Sequence, residues 1–66
     1  MFGWTYLDRA GEEVGRSPRF DDAERAEEWM GSSWQELLES GVEAVVLVDY
    51  EHERVLYRMG LGEDEA

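Results

Sequence analysis

Residues Asp21–Gly41, DDAERAEEWMGSSWQELLESG, decide how the rest of this chain is read. At about 100° per residue, Ala23, Ala26, Met30, Trp34 and Leu37 fall on one helix face, with Trp29 and Leu38 at its shoulders. Glu24, Glu28, Gln35 and Glu39 fall opposite. The stretch therefore predicts an amphipathic helix with one apolar stripe and an acidic back. Asp21 is the expected N-cap, Glu24 completes a capping-box pair, and Asp22 suits the positive end of the helix dipole. Gly41 fits the left-handed position just past the last turn. Gly31-Ser32-Ser33 is the weak point, since a mid-helix glycine costs about 1 kcal/mol against alanine. The stripe keeps its phase across this break, which favours one continuous helix.

On the N-terminal side, Met1–Asp8 reads as an aromatic-rich strand, with Phe2, Trp4 and Tyr6 on one face and Gly3, Thr5 and Leu7 on the other. Asp8-Arg9-Ala10-Gly11 has the form of a type I turn closed by a left-handed glycine. The return strand, Glu12–Ser17, is short and polar, as suits a sheet edge. Beyond the helix, Val42–Tyr50 is the clearest strand: Ala44, Val46 and Val48 point one way, Val45 and Leu47 the other. Apolar residues on both sides imply that both faces are at least partly covered. Asp49–Glu53 is a charged turn, and Arg54–Met59 forms a last strand.

The fold class that follows is α+β, in the order β-β-α-β-β. We expect a four-stranded antiparallel sheet with Val42–Tyr50 beside the first strand and the helix across one face. Residues 1–59 make a single domain, and 60–66 an acidic flexible tail. One helix covers only one sheet face. We expect the large rings of Phe2, Trp4 and Tyr6 beneath it, because aromatics dominate core energetics. The set left outside is then taken as Leu7, Val45, Leu47 and Leu56, an apolar face suited to interaction. Within the helix, Trp34 is expected inside and Trp29 on the shoulder.

Composition narrows the function classes. A chain of 66 residues buries about 60% of the surface that its unfolded form exposes, which leaves a thin margin of stability. There is no cysteine and a single histidine, His52. A disulfide or thiolate site is therefore impossible, and a histidine-based structural metal is disfavoured. Good packing or oligomerisation remains, which raises the prior for a homodimer. No signal segment and no apolar run of membrane-spanning length is present, so a soluble cytoplasmic protein with no membrane partner is expected.

The net charge is −11, and it is unevenly placed. Residues 1–20 balance, whereas Asp21–Gly41 holds seven acids against Arg25 alone. Such a field repels nucleic acid and anionic lipid and favours a basic protein partner. Along the helix back, Asp21, Glu24, Glu28 and Glu39 could imitate a phosphate backbone, in the manner of a DNA-mimic inhibitor of a basic nucleic-acid-binding protein.

The run Trp4-Thr5-Tyr6-Leu7-Asp8 is followed by Gly11, Glu13-Val14-Gly15, Phe20, Ala26-Glu27-Glu28-Trp29, Trp34, Leu37-Leu38 and Gly41-Val42. With these residues the chain resembles small acidic hypothetical proteins of actinobacteria. The absence of lysine, isoleucine and asparagine, whose codons are AT-rich, fits a GC-rich genome. The resemblance implies no activity, cofactor or site residue.

Catalytic constellations are weak. Asp49, Glu51, His52 and Glu53 have metal-ligand residue types, but their spacing lacks the central glycine and twelfth-position glutamate of a calcium loop. A solvated turn is the better reading. The serines Ser17, Ser32, Ser33 and Ser40 all suit capping or turn roles, and His52 is the one imidazole available to activate a nucleophile. Base stacking on an aromatic sheet face needs surrounding cations that this charge balance does not supply. We therefore read the chain as non-enzymatic, without a cofactor. Its expected role is protein–protein interaction, with self-association through the uncovered sheet face as the simplest form. Charge-driven inhibition of a nucleic-acid-binding protein is the alternative.

Overall fold

A computed structural model describes residues 1–61 and shows the expected order of elements: β1 (Phe2–Leu7), β2 (Glu13–Arg16), α1 (Ala23–Glu39), β3 (Ala44–Asp49) and β4 (Arg54–Gly60). The strands form one antiparallel sheet in the order β2-β1-β3-β4. β1 and β3 are therefore central, and β2 and β4 form the edges. The β1–β2 turn is built by Asp8. Its Oδ1 accepts from the amides of Ala10 and Glu12, its carbonyl accepts from Gly11, and Gly11 takes the left-handed φ of 85°.

The helix runs unbroken through Gly31-Ser32-Ser33. Its N-cap is Asp22 rather than Asp21: Asp22 has the extended backbone, and its Oδ1 accepts from the amide of Arg25 at 2.8 Å. Glu24 thus stands one residue too early to complete a capping box. The far end closes as expected, with Gly41 at a φ of 103° and the amide of Val42 donating to the carbonyl of Leu37.

The core is a cluster of Trp4, Ala26, Met30, Val42, Val45 and Leu47, with Phe2, Tyr6, Phe20 and Trp29 against it. The aromatic stripe of β1 does lie beneath the helix. Trp4 is fully buried, and its indole N–H donates to the carbonyl of Ala26 at 2.8 Å, fastening α1 to β1. Register then fixes β3. Antiparallel partners share a face, and Trp4 pairs with Leu47 while Tyr6 pairs with Val45. Val45 and Leu47 are consequently core residues, both fully buried.

That overturns two members of the expected interaction face. The residues of β3 that face away from the helix are Ala44, Val46 and Val48, partnered by Leu7, Thr5 and Gly3. Gly60, expected in the tail, belongs to the sheet instead. It is the last residue of β4, and the amide of Leu61 donates to the carbonyl of Glu43. Residues 62–66, which hold the tail acids, lie outside the described residues.

At the β1 end of the open face, the ring of Tyr50 lies over Gly3. A Cβ built on Gly3 would stand 2.8 Å from Tyr50 Cε2, closer than two carbons approach without displacement. The guanidinium of Arg19 in turn sits 4.2 Å from the Tyr50 ring centroid, a cation–π contact. The open face is thus roofed at one end by a Tyr–Arg pair, and Val46 and Val48 on it are half-buried.

Candidate functional site

The helix seats on β1 and stops short of β4. Ala26 and Met30 face the sheet, whereas Trp34 points past it and is 38% exposed. The expectation that Trp34 is buried therefore fails, for a reason of placement. Helical spacing puts Trp34 on the stripe and Trp29 at its shoulder, yet it is Trp29 that is half-buried. The ring of Phe20, carried by the segment before the helix, covers Trp29 at a centroid distance of 5.7 Å. Among the described residues, no aromatic ring stacks on Trp34 in this way.

A groove of about 310 Å³ results, lined by Trp4, Glu27, Met30, Gly31, Trp34, Tyr57 and Met59. Its far wall comes from β4, where Tyr57 pairs with Leu47 and Met59 with Val45, so both face the helix side. Tyr57 is held from two directions. Its ring meets the edge of Trp4 at 5.9 Å and 73°, and its hydroxyl donates to Glu27 Oε2 at 2.8 Å. Partial burial, and then the Glu27 carboxylate, push the Tyr57 phenol up to about 12.

The sign of that shift gives a pH prediction. The folded state holds the phenolic proton more tightly than the unfolded chain. The resulting stabilisation is complete below the ordinary value near 10 and is lost as pH rises from there through about 12. Absorbance titration at 295 nm should show one phenol ionising near pH 12. That step should disappear in Tyr57→Phe and move down in Glu27→Gln. A wild-type curve without a step above pH 11 would remove the contact from the solution structure.

Gly31 belongs to this groove and to no packing contact. A Cβ on it would meet nothing within 4 Å. Gly31→Ala should therefore stabilise the helix by about 0.5–1 kcal/mol, as measured by urea unfolding. A loss of stability would mean that the helix is seated differently.

The other expected sites separate. Leu7 lies on the open sheet face, and Leu56 is exposed on β4 beside a register shift in the β3–β4 pairing. Asp21, Glu24, Glu28 and Glu39 are all exposed, and none has an ion-pair partner among the described residues. Asp49 builds a turn. Its Oδ1 accepts from the amides of Glu51 and His52, and its Oδ2 lies 2.8 Å from His52 Nδ1. The hydrogen bond from His52 holds the Asp49 carboxyl below the usual range. Among the described residues, no group of three or more histidine, cysteine, aspartate or glutamate side chains is placed to hold a metal ion. Likewise, no helix among them is long and apolar enough to cross a membrane.

Sequence reasoning missed the groove. Its signals were present in the mid-helix glycine, the tryptophan one turn beyond Met30 and the apolar β4 residues. The fold and the site thus define a small α+β unit with one grooved face and one sheet face that the helix does not cover. No family model, no curated protein and no solved structure matches the chain.

Proposed function

We propose that this chain is a non-enzymatic, cytoplasmic protein–protein interaction module that self-associates through the sheet face α1 leaves open. One observation carries the reading: on the sheet face away from α1, Leu7, Val46 and Val48 are only half-buried, and the face is continued on the edge strand by Val55, which pairs with Val48 and is 62% exposed. A chain with so little core gains proportionally from burying such a face against a second copy.

Sedimentation equilibrium over a range of concentrations, at low and high salt, tests it. A dimer that persists in high salt is the expected result, since apolar association is not screened. Val55→Glu places a charge on that face at an exposed position and should give a monomer that stays folded. A wild-type monomer at every concentration would sink self-association. The exposed, unpaired carboxylates Asp21, Glu24, Glu28 and Glu39 support the second reading, charge-driven inhibition of a basic nucleic-acid-binding protein. Under that reading, partner binding falls steeply as salt rises.

A further inference from the structure

The groove between α1 and β4 has a chemistry of its own and lies on the opposite side of the sheet from the proposed self-association face. Its walls are the half-exposed rings of Trp34 and Tyr57, its floor is Trp4, and Met30 and Met59 complete the apolar lining. Glu27 contributes the one ionisable carboxylate. The Tyr57 hydroxyl occupies Oε2, and no cation pairs with Glu27 among the described residues. From these residues we infer that the groove binds a cationic side chain, the arginine guanidinium of a basic protein partner.

Each wall supports that occupant. A guanidinium stacks on aromatic faces, indole best of all, and is weakly hydrated, so it enters an apolar groove at lower cost than an ammonium. It also carries donors at its edge, which suits a site with rings at the sides and one carboxylate at the end. Tyr57 is pre-set for this role because its hydrogen bond and its edge contact with Trp4 fix the ring before anything binds. Gly31 keeps the rim open, since any side chain there would project into free space beside Trp34. The net charge of −11 draws basic partners toward the chain from a distance, and the groove gives one of their side chains a specific place to stop.

The probe is N-acetyl-arginine amide, titrated into the ¹⁵N-labelled full-length chain and followed through the indole N–H of Trp34. N-acetyl-citrulline amide, the uncharged isostere, is the control. The expected result is a saturable shift at Trp34 with millimolar affinity, and at least about fivefold weaker binding of the citrulline compound. Glu27→Gln, whose amide oxygen still accepts from Tyr57, should weaken arginine binding by a similar factor. Trp34→Ala, followed instead through the backbone amide of Gly31, should abolish it, and Glu39→Gln, away from the groove, should leave it unchanged. Equal shifts from arginine and citrulline would overturn the inference. So would shifts spread over the helix carboxylates and indifferent to Glu27→Gln, or no shift at Trp34 at all. None of these results bears on the sedimentation experiment, so the two proposals stand or fall separately.

Discussion

Trp4→Ala is expected to unfold the domain. Trp4 is fully buried at the centre of the core, under α1 and against Tyr57. Removing a large aromatic from such a site costs about 3–5 kcal/mol. A domain of this size has roughly that much stability in total. The indole adds a second contribution, because its N–H reaches the carbonyl of Ala26 and sets where the helix sits on the sheet. Trp4→Phe separates the two effects: it keeps most of the apolar volume and loses the hydrogen bond, and should cost about 1–2 kcal/mol. Trp34→Ala is the matched contrast. Its ring lies at the groove mouth, and its loss should change stability by less than about 1 kcal/mol. Circular dichroism melts of the three variants decide the matter. A folded Trp4→Ala beside an unfolded Trp34→Ala would reverse the helix placement.

The second large effect is expected at Leu47. Leu47→Ala should cost about 2–5 kcal/mol, the range for emptying a packed aliphatic site, whereas Val46→Ala should cost about 1 kcal/mol or less. The two residues are adjacent, chemically similar and in the same central strand. They differ in face: Leu47 pairs with Trp4 beneath the helix, and Val46 pairs with Thr5 on the open side. Urea unfolding of the pair measures the parity of β3 directly. Equal costs would mean that the open face is buried as thoroughly as the core, which a stable dimer through that face would produce. The comparison should therefore be made at concentrations below any dimer dissociation constant.

Most of the fold was legible because each element carried a local signal that agreed with the whole. The alternation in β1 placed its rings, the Asp8–Gly11 turn joined it to β2, and the helical stripe survived Gly31. Parity in β3 was not legible. Val42–Tyr50 is apolar at five successive positions, Ala44 to Val48, so period two leaves no contrast between its faces. Only pairing with Trp4 and Tyr6, through a register the sequence does not display, assigns Val45 and Leu47 to the core. The two tryptophans posed a related problem in the helix. Spacing puts Trp34 on the stripe and Trp29 at its shoulder, and the reversal in their burial comes from Phe20, a residue outside the helix altogether. The groove was hidden for a related reason: it is a space left where α1 fails to reach β4, and no residue pattern encodes an offset between two elements.

The pairing of β1 with β3 also sets the order in which the chain can become a protein. Phe2 meets Asp49 and Leu7 meets Ala44, so β1 stays without one of its two neighbours until β3 has been made. The β1–β2 hairpin and the helix can form locally and early, whereas closure of the sheet waits on contacts far apart in sequence, the slowest kind to make. Throughout that wait the unprotected edge is the aromatic strand of the future core, a ready template for pairing with another nascent copy. The seven acids of Asp21–Gly41, made before β3, keep such copies apart at that stage. Acidity in this chain thus serves the unfinished molecule as well as the folded one.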